Sequence, residues 1–118
     1  MQVCMLFYET EADFAARTAG GEAGEAFWGA WRAFVGAMNE AGIVRGGQAL
    51  QPPAGAVVVR RGGAAPQVLD GPYAETKEQL GGTIVIEVPD MDAAIAWAAR
   101  CPAVARGAVE LRPVLPMG

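Results

Sequence analysis

Between positions 70 and 82 the chain reads Asp-Gly-Pro-Tyr-Ala-Glu-Thr-Lys-Glu-Gln-Leu-Gly-Gly, a dense gathering of acidic, basic, amide and aromatic side chains. Asp70 is the first candidate for chemistry. Under a loop and out of water, its carboxyl would rise in pKa and exchange protons near neutrality. It can equally cap the loop by accepting backbone N–H bonds, a common role of aspartate in turns. Glu75 and Lys77 suit a substrate-orienting pair, or a surface salt bridge worth about 0–1 kcal/mol. Thr76 and Gln79 can both donate and accept hydrogen bonds, to a ligand or to the loop's own backbone. Tyr73 offers an aromatic wall with a polar tip, or an anchor for the loop. The second carboxylate is Glu87, inside the apolar run Thr83–Val88, on one strand face with Thr83 and Val85. In a cleft it is a general-base candidate; at a solvent-facing strand end it is unremarkable. Asp70 and Glu87 are therefore the expected catalytic residues, and Tyr73, Glu75, Thr76, Lys77 and Gln79 the expected ligand-binding ones.

The absences are equally informative. The sequence contains no histidine, and so lacks the commonest metal ligand and the commonest general base near neutral pH. Cys4 and Cys101 have no companions from which to build a zinc site, and both are expected reduced and buried. Neither a metal nor a cofactor is expected.

The elements that must position these groups follow from apolar periodicity. Val3–Tyr8 is a continuous apolar run, the pattern of a strand buried on both faces. Residues 9–21 read as a mobile connection. From Glu22 to Ala41, Phe27, Trp31, Phe34, Val35 and Met38 recur at spacings of three and four and make one helical stripe. Trp28 and Trp31 are expected in core or interface, and Gly42 is placed to end the helix. Ile43–Leu50 reads as a strand in which Gly46-Gly47 marks a bulge or a close backbone approach. Ala56–Arg60 and Gln67–Asp70 form a hairpin about Gly62-Gly63. Thr83–Val88 is the next strand, and Asp90 caps a helix over Met91–Arg100 with Met91, Ile95 and Ala98 on its apolar face. Gly107–Val114 is the last strand.

The order β-α-β-(ββ)-β-α-β is α+β, a ferredoxin-like pattern with an inserted hairpin. Two helices can cover only one face of the sheet they cross. Because Val3–Tyr8 and Thr83–Val88 are apolar on both faces, a homodimer is expected, with a second copy on the open face. The 118 residues make one domain, 1–118. The net charge is −4 and the basic residues are scattered, so neither nucleic acid nor a membrane is an expected partner. No apolar run approaches the roughly 20 residues of a membrane span, and the N-terminus lacks the features of a signal peptide. A cytoplasmic protein is expected.

Three stretches carry a resemblance: Gly46-Gly47-Gln48-Ala49-Leu50-Gln51-Pro52, the segment 70–82, and Val88–Pro102 followed by 107–114. On these the chain resembles the YCII-related family, specifically its DGPF branch, with Tyr73 in place of the phenylalanine that names the branch. The resemblance implies a dimeric α+β barrel of ferredoxin-like type. It also implies a histidine–aspartate pair in the original branch, which a chain without histidine cannot reproduce. By family association alone it implies a link to sigma-factor signalling. Together these expectations describe a small-ligand-binding or regulatory homodimer acting in the cytoplasm. The alternative is a cofactor-free small-molecule enzyme using Asp70 or Glu87 for acid–base catalysis.

Overall fold

A computed structural model describes residues 1–118. Its centre is β1 (Gln2–Thr10), whose side chains alternate strictly: Val3, Met5, Phe7 and Glu9 are buried, while Cys4, Leu6 and Tyr8 are only half-buried. Alternation by two sends successive residues to opposite faces of a strand, so β1 looks two ways. A short helix, α1 (Glu11–Ala16), follows at once, where a connection was expected from sequence. Thr10 and Asp13 close a capping box at its start: Thr10 N–H donates to Asp13 Oδ2 at 3.0 Å and Asp13 N–H to Thr10 Oγ1 at 3.3 Å. Then come α2 (Gly21–Glu40) and β2 (Val44–Ala49), the hairpin β3 (Val57–Arg60) and β4 (Gln67–Asp70), β5 (Glu78–Glu87), α3 (Met91–Ala98) and β6 (Ala108–Pro113).

Four strands form one antiparallel sheet in the order β2-β5-β1-β6. This order, with α2 and α3 as the crossovers, is the ferredoxin-like arrangement expected from sequence. The helices pack on one face. Val3, Met5 and Phe7 of β1 and Ile86 of β5 meet Phe34 and Met38 of α2 and Ala94 and Ala98 of α3. Asp90 caps α3 by accepting from Ala93 N–H at 2.9 Å. The apolar face of α3 is rotated from the expected one. Ala94 and Ala98 are buried and Ile95 is half-exposed.

Two further differences matter for the site. β5 begins at Glu78, not Thr83, so the segment 70–82 is a loop only as far as Lys77 and strand beyond it. And Cys4 is half-buried on the open face, while Cys101 is buried in the core; both are free thiols. Burial pushes the Cys101 thiol up to about 12.

The hairpin pairs Val57 with Asp70 and Arg60 with Gln67 as a separate two-stranded sheet. It projects from the body: the radius of gyration is 16.1 Å, against about 13.5 Å for a compact chain of this length. Only 16 of 118 residues are buried, because the hairpin and the second sheet face have nothing packed on them. No helix is long and apolar enough to cross a membrane.

Candidate functional site

A cavity of about 550 Å³ lies between α2 and the β2–β5 side of the sheet. It exists because the sheet is short of side chains there. On β2 and β5 the helix-facing positions include Gly47, Ala49 and Gly82, which pair with Ile84, Gly82 and Phe7 respectively. Nothing larger fits at the glycines: a Cβ on Gly47 would sit 2.5 Å from the Thr83 carbonyl oxygen, and one on Gly82 2.8 Å from that of Gln48. A floor bare at Gly47 and Gly82 and short at Ala49, between Val44 and Ile84, leaves a void under a helix rich in large side chains.

Phe27, Trp28, Trp31 and Val35 of α2 form the roof. Their rings interlock edge to face, Phe7 with Trp31 at 5.0 Å and Phe27 with Trp28 at 5.1 Å between centroids. Such pairs add about 0.5–1.5 kcal/mol beyond burial and fix ring orientation. Trp28 is held further by its indole N–H, which donates to the Arg17 carbonyl at 3.0 Å.

The polar end is made by Glu9 and Arg17. Strand alternation sends Glu9 to the same face as Val3, Met5 and Phe7, and it is only 3% exposed. Arg17, just past α1, reaches back to it: Nη2 donates to Glu9 Oε2 and to the Gly81 carbonyl, each at 3.0 Å, and Nη1 donates to the Leu50 carbonyl. One guanidinium thus ties together β1, β5 and the segment after β2. Gly81 is the extra residue of a bulge, for Phe7 pairs with Gly82 and Tyr8 with Leu80. Bulges re-aim the chain beside functional sites, and this one carries the Gly81 carbonyl to Arg17. Burial raises the Glu9 pKa above the usual carboxylate range, while the Arg17 charge and hydrogen bond pull it back down. A second cavity of about 430 Å³ adjoins the first, sharing Glu9, Phe27 and Trp31 and otherwise lined largely by alanines, with Asp13 and Arg106.

The residues expected from sequence lie elsewhere. Asp70 is exposed on β4 and Glu87 ends β5; neither lines these two cavities. Glu87 pairs with the Met1 ammonium at 2.8 Å, whose hydrogen bond lowers its pKa. Tyr73 is 76% exposed, with the Arg60 guanidinium 5.0 Å from its ring centroid. Glu75 and Lys77 are exposed and form no ion pair. Only Thr76 and Gln79 are brought together, and they staple their own loop. Thr76 Oγ1 donates to the Glu78 carbonyl at 2.6 Å, and Gln79 Nε2 to the carbonyls of Ala74 at 2.7 Å and Thr76 at 3.0 Å. No group of three or more cysteine, aspartate or glutamate side chains is gathered in a way that could hold a metal ion.

Sequence reasoning missed Glu9, Arg17 and the cavity. One signal was present: continuing the alternation Val3, Met5, Phe7 by one step puts Glu9 on the buried face, where a carboxylate needs a cation.

The model of the YCII-related domain matches residues 1–118, the whole chain, and the chain belongs to that family. No curated protein matches it.

Proposed function

We propose that this YCII-related chain is a small-ligand-binding protein, acting as a homodimer in the cytoplasm, with the cavity under α2 as its site. The observation that carries this is the cavity itself. Pockets that take small molecules are about 300–1,000 Å³, mostly apolar, with a few fixed polar groups. An aromatic roof, an apolar floor of Gly47, Ala49, Gly82, Val44 and Ile84, and one buried ion pair match that description. The probe is 1-anilinonaphthalene-8-sulfonate, followed by fluorescence. Ala49 lines the floor with its Cβ toward α2, so Ala49→Phe fills the space. Saturable binding by the wild type that is lost in Ala49→Phe supports the site. Binding unchanged in that variant moves the ligand elsewhere and overturns the proposal.

The homodimer is supported by the open sheet face, where Cys4, Leu6, Tyr8 and Val85 stand half-buried with no helix over them. The projecting hairpin adds Val57, Val59 and Val68, each more than 60% exposed. Exposed apolar surface of this kind marks an interaction site. Sedimentation velocity should give twice the chain mass, and Leu6→Glu should give the monomer; a monomeric wild type refutes the dimer. Two unpaired thiols favour a reducing compartment.

A second reading, a cofactor-free enzyme working by acid–base catalysis, is favoured by Glu9, a nearly buried carboxyl of raised pKa at the edge of the cavity. It transfers to Glu9 the role expected for Asp70 or Glu87. Carboxylate NMR tests it, and ordinary titration of Glu9 removes it.

A further inference from the structure

The charges around the cavity say what shape of ligand it takes. Its charged lining residues are Glu9, Arg17 and Arg32, a net positive site in a chain of net charge −4. Glu9 and Arg17 neutralise each other at the buried end. Arg32, one turn of α2 beyond Trp28, lines the cavity with its side chain 67% exposed, and its only ion-pair partner is Glu25 at 3.7 Å, itself 83% exposed. Such a contact binds the guanidinium weakly, so Arg32 is free to meet an anion.

The buried end differs in kind. The Glu9 carboxylate receives one hydrogen bond, from Arg17 to Oε2, although a carboxylate has room for about four. Arg17 Nε is the one enclosed side-chain polar atom without a partner. The second Glu9 oxygen has no donor either, and by that contrast it is not sealed from the cavities that Glu9 lines. An acceptor with spare capacity, open to the cavity, favours a ligand that brings a donor to replace the water there. Trp28 and Trp31 line the same cavity, and their ring faces suit a planar group.

We infer that the cavity takes an aromatic monocarboxylate bearing a ring hydroxyl or N–H: the donor against Glu9, the ring under the tryptophans, the carboxylate on Arg32. This rests on the ligand-binding role proposed above and names the ligand's class.

Calorimetric titration with three matched probes tests it: 4-hydroxyphenylacetate, phenylacetate, which lacks the donor, and 4-hydroxyphenylethanol, which lacks the charge. In the wild type the hydroxyl should tighten binding about tenfold, the effect of one hydrogen bond to a charged group. The carboxylate should tighten it about three- to fivefold, as fits a partly exposed ion pair. In Glu9→Gln the hydroxyl advantage should shrink while the carboxylate advantage stays; in Arg32→Gln the reverse should hold. Equal affinities for the three probes in the wild type overturn the inference, as does discrimination that survives the matching substitution. Should Glu9→Gln fail to fold, the wild-type series decides the donor end and Arg32→Gln the anionic end. The two proposals fail separately. Anilinonaphthalene sulfonate bound in the cavity, without discrimination among the three acids and alcohols, sinks only the ligand class. No binding of any probe sinks both.

Discussion

Gly81→Ala tests the packing of the buried ion pair most directly. A Cβ at this position would lie 2.6 Å from Glu9 Oε2, 2.9 Å from its Cδ and 3.0 Å from Arg17 Nη2. The carboxylate would have to retreat from 2.6 Å to the 3.4 Å at which ordinary contact begins. It has little room, being 3% exposed and held by Arg17. Overpacking of this size costs about 1–3 kcal/mol. Separating a buried ion pair outright costs about 3–5 kcal/mol. Against this, replacing glycine by alanine restricts the unfolded chain and returns about 0.4–1 kcal/mol. The net expectation is a loss of up to about 2.6 kcal/mol if the pair only shifts and about 2–4.6 kcal/mol if it separates, the latter a large part of the 5–15 kcal/mol that holds a typical domain together. Urea unfolding measures it, and a double-mutant cycle with Glu9→Ala assigns it. With the carboxylate gone the methyl has space, so in the Glu9→Ala background Gly81→Ala should be neutral or stabilising by up to about 1 kcal/mol. An equal cost in both backgrounds would refute this account, since the loss would then come from the β5 backbone and not from the ion pair.

Three further outcomes follow from the same structure. Because burial raises the Glu9 pKa in the fold above its unfolded value, the folded state holds the proton more tightly, and stability falls as pH rises from about 4.3 through the raised value. Glu9→Gln should lose that segment of the pH–stability curve; an identical curve would place the raised pKa on another group. In the proposed homodimer Cys4 is covered, so its reaction with a disulfide reagent should speed up on dilution or in Leu6→Glu. Cys101, buried and pushed up to about 12, should react only on unfolding; rates independent of concentration would count against a partner on that face. Tyr8 donates to Glu110 Oε1 at 3.3 Å, and desolvation together with that carboxylate raises its pKa. In Tyr73→Phe, ultraviolet titration should therefore show a single phenol ionising above about 10, moving back toward it in Glu110→Gln.

The fold was largely legible, because periodicity reports burial and burial builds the sheet. The continuous run Val3–Tyr8 announced a strand with two apolar faces, and the stripe Phe27–Met38 announced the helix over one of them. The site was not legible, for two physical reasons. Polar density in sequence marks a place where the backbone needs help as often as a place where chemistry happens, and Thr76 and Gln79 close a turn with their own hydrogen bonds. Glu9 and Arg17, by contrast, sit among apolar or mixed neighbours and become a pair only when α1 turns the chain back. α1 itself was hidden because its capping box uses aspartate at the third position, a weaker signal than the glutamate or glutamine usual there.

The glycines connect fold to site in a way that no single strand reveals. Gly47 lies on β2 and Gly82 on β5; each read alone is a weak point in a strand. On adjacent strands, Gly47 opposite Ile84 and Gly82 opposite Ala49, they let β2 and β5 approach until no Cβ would fit, and the missing side chains leave part of the cavity floor bare. Gly81, next in line, lets the carboxylate of Glu9 and the guanidinium of Arg17 close over the same strand. A sheet whose strands lay further apart could carry β-branched residues here and meet α2 with a filled core. This one instead leaves about 550 Å³ under its aromatic helix and places a buried ion pair at the edge. Both features cost stability. They occur together, the ion pair of Glu9 on β1 and Arg17 beside α1 closing against Gly81 next to the glycine floor, which is the arrangement the proposed binding site needs.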